Sequence, residues 1–402
     1  MPQRGWYPCP QPLAARIRPV PAAPTTRFVD SLKAVPAAAW DALRADGNPF
    51  LRHAFLLALE ESGCVDGRSG WHSRHLLIEQ DGRLLAAAPV YVKEHSYGEY
   101  VFDWAWANAY QRAGLRYYPK LVVAVPFTPV TGPRLLIAPG ADEAPLLAVA
   151  GQALIGQAQA LRASSVHWLF TPDRQTAALD GPQWLRRSGC QFHWENRAYG
   201  SFDDYLAALT AEKRKKVRRE RRQVAEAGIR VEVVPGSAAG AAEWAAMYGF
   251  YRATVARHGA IPYLSEAFFE RLGQTLADAV VLLLAVRGGR YVAGALNLRG
   301  PDALYGRYWG CHADYHSLHF ETCYYRAIEY CIEQGLGRFE AGAQGEHKLS
   351  RGFLPVQTHS LHWLAEPRFA DAVADYLVEE AGEMERYREL LAEHSPFRRQ
   401  PP

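Results

Sequence analysis

The sequence predicts an α/β (α+β) protein of two tandem units, each a mixed sheet flanked by helices, with a cleft between or beside them. Three observations carry that expectation. A chain of 402 residues, 49% hydrophobic and 22% charged, is long enough for two ordinary globular domains. A hairpin pattern occurs twice, LLIEQDGRLLAAAPV and LLLAVRGGRYVAGAL, with Gly82-Arg83 matching Gly289-Arg290. A helix-then-strand pattern also recurs, ALIGQAQALRASSVHWLF and YRAIEYCIEQGLGRFEAG.

In chain order, Met1–Arg27 is proline-rich, lacks acidic residues and reads as a disordered leader; it has no apolar centre of a secretory signal. Asn48–Glu61 is an amphipathic helix with Pro49 in its first turn. His75–Gln80 and Arg83–Lys93 are strands joined by Asp81-Gly82, a strong hairpin signal. Lys93–Gly114 is an aromatic and charged excursion expected to line a cleft. Tyr117–Pro139 is strand-like with proline bends, Ala141–Ala163 helical, Val166–Phe170 a buried strand, and Phe192–Asn196 closes the first unit, residues 28–197. The second unit, residues 198–366, opens on a long polar helix, Ser201–Ala227. The strand Ile229–Val234 and the helices Ala241–Arg257 and Ser265–Leu276 follow.

The chain is organised around Ala303–Leu349. Leu304–Cys311 is an aromatic strand. Leu318–Gln334 has helical apolar spacing, with Ser317 expected to cap its start and Gly335 to supply a left-handed end. Arg338–Ala341 is a short strand feeding the Gly-spaced polar loop Gly342–Arg351. Residues 367–402 are expected as a charged helix, Pro367–Glu393, and a fraying tail.

Charge is unevenly spread. The net charge is +3, yet Lys213–Arg222 carries eight cations and one Glu, or +7, leaving −4 for the rest. On a helix such a run could seat a phosphate-bearing ligand, with Lys213, Arg214, Lys215, Lys216 and Arg218 as contacts; a solvated charged helix is the plainer reading. It has no interleaved aromatics, so base stacking is not supported. Six scattered cysteines without a C-x-x-C suit a reduced, cytoplasmic setting and argue against a disulfide framework or zinc ribbon. No apolar run is long enough to span a membrane. His312, His316 and His319 straddle a loop-to-helix junction without H-E-x-x-H, so no metal site is predicted. No serine sits in a nucleophile elbow, which weighs against a hydrolase.

The loop carrying Gln344, Glu346, His347 and Lys348 follows a buried strand, a usual place for chemistry in α/β folds. Glu346 or His347 could take a proton from an attacking amine, and Lys348 could contact an oxyanion or carboxylate. A polar turn with local pairing is the plainer alternative. Tyr308 and Trp309 are expected to line the cleft. His319 and Glu321, at a helix start, could meet an anionic donor. From the first unit, Glu99 and Asp103 are candidate acceptor contacts within the aromatic run Lys93–Tyr110.

Tyr305–Gly310, the helix ending at Gly335 and the FEAGAQGEHK run resemble the second acyltransferase domain of Fem-type peptidyltransferases, which carry two N-acetyltransferase-like (GNAT) domains. The block YVKEHSYGEYVFDWAWANAYQRAGLRYYPKLVVAVPFTPVTGP is similar to the Fem-like predicted N-acyltransferases, and the likeness covers about Phe28–Leu364. It implies two GNAT-like domains and transfer of an acyl or aminoacyl group to an amine, in peptidoglycan-related biosynthesis. No cofactor stays bound; the donor, aminoacyl-tRNA or acyl-CoA, is a co-substrate, and a peptidoglycan precursor is an implied acceptor. GNAT enzymes that use acyl-CoA carry [Q/R]-x-x-G-x-[G/A] before the central helix. Here that place reads CHADYHSLHF, without glycine, which disfavours CoA. Two alternatives stand beside this: an acyl-CoA-dependent GNAT enzyme, and a non-catalytic RNA-binding or scaffold protein.

Overall fold

The computed structural model describes residues 23–43, 46–343 and 345–398. In the first half the strands are β1 (Thr25–Val29), β2 (Trp71–Ser73), β3 (His75–Gln80), β4 (Arg83–Ala88), β5 (Val90–Lys93), β6 (Lys120–Val123), β7 (Leu136–Ile137), β8 (Ser165–Thr171) and β9 (Leu185–Glu195). In the second they are β10 (Ile229–Pro235), β11 (Val280–Arg287), β12 (Arg290–Arg299), β13 (Ala303–Cys311), β14 (Arg338–Glu340) and β15 (Leu354–Leu364). They form a four-stranded sheet, β1-β3-β4-β7, and an eleven-stranded one, β10-β11-β12-β13-β14-β9-β15-β8-β6-β5-β2. The layers are α/β, with sheets flanked by helices.

The internal repeat is visible in the backbone. The β3–β4 turn has positive φ at Asp81 and Gly82, and the β11–β12 turn has it at Gly288 and Gly289, the geometry of a tight hairpin. Both hairpins carry a bulge at the same distance from the turn, leaving Leu85 and Val292 without a cross-strand partner. Each half then has a parallel pair, β6 with β8 and β13 with β14.

The two halves exchange their last strands. β9 pairs with β14, and β15 pairs with β8, while β9 and β15 run antiparallel to each other across nine residue pairs, from His193–Leu354 to Leu185–His362. A core also joins the halves: Trp40, Phe50 and Phe55 pack into one cluster with Phe250, Phe268 and Leu298. The Pro367–Glu393 helix covers β9 and β15.

Several expected elements differ. β1 begins at Thr25, inside the segment read as leader, whose residues 1–22 lie outside those described. The strand expected over Arg83–Lys93 breaks at Pro89, which has no N–H for the ladder, and its two pieces enter different sheets. The helix expected over Ser201–Ala227 is two, Phe202–Ala208 and Ala211–Glu226. At the break Leu209 is extended and buried, bridged to Phe397, and the Thr210 N–H donates to Pro396 O at 2.9 Å. The tail expected to fray is therefore docked as far as Arg398, whose N–H donates to Ala208 O. The helix after β13 holds a π segment, Glu321–Tyr325, between α-helical Leu318–Phe320 and Arg326–Glu333. Ser317 has φ 64° and does not cap it; its hydroxyl donates to Gln223 Oε1 instead. Gly335 supplies the left-handed end, at φ 65°.

Candidate active site

β13 and β14 are paired only over Ala303–Tyr305 and Arg338–Glu340, and then diverge. The divergence coincides with a bulge in β13: Leu296 faces Tyr308 and Asn297 faces Gly306, so Arg307 is the extra residue. An extra residue resets the alternation of side chains. Tyr305 and Tyr308 thus share one face, while Trp309 lies on the other. Tyr308 and Trp309 do not line one surface, contrary to expectation, because neighbours in a strand point apart. The Tyr308 hydroxyl donates to Phe127 O at 3.0 Å, among the rings of Tyr251 and Phe269. The Trp309 ring lies 5.3 Å from that of His319.

After β14 the chain turns through Gly342 (φ 83°) and Gly345 (φ 119°) into a 3-10 turn, Glu346–Arg351, closed by Gly352 (φ 83°). Three residues per turn send consecutive side chains three ways. Glu346 points outward and accepts from the Tyr387 hydroxyl at 2.7 Å. His347 is exposed, and its Nε2 lies 2.9 Å from the Tyr324 hydroxyl. Partial burial, then the charges of Arg351, Lys348 and Lys216, hold the imidazole below its ordinary pKa, so it is neutral near pH 7. Lys348 is buried and donates to Gly342 O at 2.9 Å; burial, with Arg307 nearby, pulls its ammonium down to about 8. Gln344 lies outside the described residues.

His319 lies between Trp309 and Tyr324, and burial, aided by His347, pushes its pKa down to about 4. Glu321 lies in the wall of a surface pocket together with Arg221, Arg326 and Glu329. It is buried, opens the π segment and pairs with Arg221 at 3.1 Å; burial raises its carboxyl despite that partner. Its expected contact with an anionic donor is corrected for a physical reason: a buried carboxylate needs a cation, and Arg221 is that cation.

The Ala211–Glu226 helix buries Val217, Glu220 and Val224 along one stripe. Of the candidate phosphate contacts, Lys213 pairs with Glu212 at 3.1 Å, Arg218 with Asp203 at 3.4 Å, and Arg214 donates to Leu209 O. Lys215 and Lys216 have no ion pair among the described residues, and neither does exposed Arg219 one turn on. These three cations share a side of the helix.

Glu99 and Asp103 form a buried charge cluster and do not face a cleft as expected. Lys120 Nζ donates to Glu99 at 2.8 Å and to Asp103, and Tyr117 donates to Asp103 at 2.6 Å. Lys93 Nζ sits 4.0 Å from Glu99 and 3.9 Å above the Trp71 ring. Burial raises Glu99 to about 7 and lowers Lys93 to about 7. Burial would also raise Asp103, but Lys120 and then His167 hold it well below its usual range. Lys120 is raised in turn, because the two carboxylates outweigh its burial.

Two adjoining cavities lie where the halves meet. One, of about 320 Å³, is walled by Tyr97, Trp104 and Tyr263; the other, of about 220 Å³, by Phe170, Gln191 and His359. Tyr100, Phe102 and Ala343 line both, so the loop after β14 forms part of their common wall. Arg307 and Glu340 were not singled out in the sequence. Both side chains are 3% exposed, with Nη2 and Oε2 4.0 Å apart at the strand divergence. The only sequence signal for them was the Gly306–Gly310 stretch of an otherwise aromatic strand.

Among the described residues no helix is long and apolar enough to cross a membrane. No curated protein matches the chain. Solved structures with a similar fold include a conserved protein of unknown function from Bacteroides thetaiotaomicron VPI-5482 (12% identity, TM-score 0.51, covering 85% of this chain and 100% of that one). Others are FemX (12% identity, TM-score 0.47, covering 76% and 91%) and a tandem GNAT protein from the clavulanic acid biosynthesis pathway (11% identity, TM-score 0.43, covering 86% and 99%). The FemAB-like family model, described as peptidoglycan biosynthesis/recognition, matches residues 31–399, and the chain belongs to that family.

Proposed function

We propose that the protein is an N-acyltransferase that moves an acyl group, aminoacyl in the first instance, from a phosphate-bearing donor to an amine. One observation carries the reading. Among the cations of the Ala211–Glu226 helix that have no ion pair among the described residues, Lys216 is near enough to the exposed His347 to help depress its imidazole, and the helix packs against the turn that carries His347. A donor phosphate on Lys215, Lys216 and Arg219 brings its acyl ester toward His347. In the tautomer whose Nε2–H donates to the Tyr324 hydroxyl, His347 offers the Nδ1 lone pair. The amine nitrogen attacks the acyl carbon, its proton passes to Nδ1, and the donor C–O bond breaks. The same proton then leaves with the donor oxygen. Lys348 acts from behind the loop, favouring negative charge on the acyl oxygen. The inter-half cavities, which share Ala343 of the same loop, are the acceptor side of this proposal, and the family's description makes a peptidoglycan-precursor amine the first acceptor to try.

The test is binding of aminoacyl-tRNA and of acetyl-CoA across a salt series, with Lys215→Glu/Lys216→Glu beside the native protein. Salt-sensitive tRNA binding that the charge reversal weakens is expected. Saturable CoA binding without tRNA affinity would overturn the donor, and binding of neither would leave transfer without support.

A further inference from the structure

The cationic run on the Ala211–Glu226 helix contains one acid, Glu220, and it is buried against the rest of the fold. Glu220 is 5% exposed and faces Arg351, which is 2% exposed. Arg351 Nη2 donates to both Glu220 oxygens at 3.0 and 2.9 Å, which leaves Nε and Nη1 for other partners. Nε donates to the Tyr325 hydroxyl at 2.9 Å, and Tyr325 in turn donates to Glu220. Nη1 donates to the main-chain oxygen of His347 at 2.8 Å and to Ser350 Oγ at 3.2 Å. The guanidinium lies 3.5 Å above the Phe320 ring. Its nitrogens are thus occupied, and none is left for a ligand.

The π segment completes the arrangement. Glu321–Tyr325 ends in two consecutive tyrosines with different partners. Tyr324 holds the His347 ring by Nε2, and Tyr325 holds the Glu220–Arg351 pair. His347 is therefore gripped twice, at the imidazole by Tyr324 and at the carbonyl by Arg351. π segments inside α-helices are frequent at functional sites.

We propose that Glu220 and Arg351 are positioning residues that fix the His347 main chain to the cationic helix, so that the donor seat and the base keep one geometry. The inference rests on the transferase reading for its consequence, and on the contacts above for the coupling itself. A buried ion pair is a poor source of stability, since apolar replacements often match it, whereas its geometry is specific. Displacing a base by about 1 Å costs roughly 100-fold in rate.

The experiment compares Arg351→Lys and Glu220→Gln with Lys216→Ala. Arg351→Lys keeps the charge opposite Glu220 but cannot also reach His347 O. With aminoacyl-tRNA as donor, Arg351→Lys is expected to lower kcat by about 10- to 100-fold at unchanged donor KM. Lys216→Ala should act chiefly by raising donor KM. A second readout needs no activity: the ring-nitrogen NMR signals of His347, titrated in the full chain with inorganic pyrophosphate. In the native protein the ring should show one tautomer, and pyrophosphate should shift its titration upward by offsetting Lys216. In Arg351→Lys the tautomers should mix and the pyrophosphate response shrink. An unchanged tautomer and an unchanged response in a folded Arg351→Lys would overturn the coupling. So would a loss of Tm in both pair variants with native His347 signals. If coupling is seen by NMR but no acyl transfer is found with any donor, the transferase reading fails and the positioning role stands.

Discussion

At the residue scale the 3-10 turn separates Glu346 from His347, although they are neighbours in sequence. Glu346 is exposed and occupied by Tyr387. His347 has one nitrogen held by Tyr324 and the other without a partner among the described residues. His347→Ala is expected to lower the transfer rate by about 100-fold or more, the usual worth of a positioned base. Glu346→Gln should change it by less than about threefold. The pH dependence follows from the direction of the imidazole's shift. A base must be unprotonated, and partial burial, then the cations around His347, move its titration below the ordinary 6.5. The kcat/KM profile should therefore rise with pH, level off before neutrality and fall above about pH 8, where the Lys348 ammonium loses its proton. A profile whose rising limb is centred above 6.5, or Glu346→Gln losing as much as His347→Ala, would reassign the base.

At the element scale the close approach of β13 to the Ala241–Arg257 helix depends on Gly310. A Cβ there would lie 1.9 Å from the main-chain oxygen of Phe250 and 2.3 Å from its carbonyl carbon. Backbone cannot yield as a side-chain tip can. Gly310→Ala should push the helix off the strand, destabilising the fold by about 3 kcal/mol or more in urea denaturation, at the upper end for overpacking. Gly289→Ala, in an open turn, is a milder comparison limited to its positive φ. What the sequence revealed at this scale, and what it concealed, divides by range. The helices Ala241–Arg257 and Pro367–Glu393 have the bounds expected, because their periodicity and end signals are local. The break at Leu209–Thr210 was illegible, since residues 396–398 impose it from the far end of the chain. The polar loop at 342–351 was legible as a candidate site from its glycines and titratable side chains. Its supports were not. Arg351 meets Glu220 across 131 residues, and Lys120 reaches Glu99 across 21. No spacing rule links such pairs.

At the scale of the whole molecule, the exchange of β9 and β15 decides how the halves fold. The sequence repeat, read alone, suggests two units that could each stand by themselves. In the fold, β8 has β15 on one side, and β14 has β9, so each half without the other has an unpaired strand edge. The shared core adds to this, since Phe50 and Phe55 pack on Tyr305 and Phe268 across the junction. Exposed apolar strand edges and faces drive association of chains. A fragment of residues 1–200 expressed alone is therefore expected to aggregate or stay unfolded, and so is one of residues 201–402. Co-expressed, the two should assemble into a complex whose circular dichroism matches the intact chain. The intact protein should unfold in urea in one transition, followed equally by the tryptophans of either half, with Trp168 and Trp309 as single-Trp reporters. Two separated transitions, or a first-half fragment that is monomeric and cooperatively folded, would show that the exchanged strands are dispensable. In that case the inter-half cavities could open by domain motion. With the strands indispensable, the cavities keep their shape, and substrate entry falls to the segments at their rim that carry Ala343 and Tyr263.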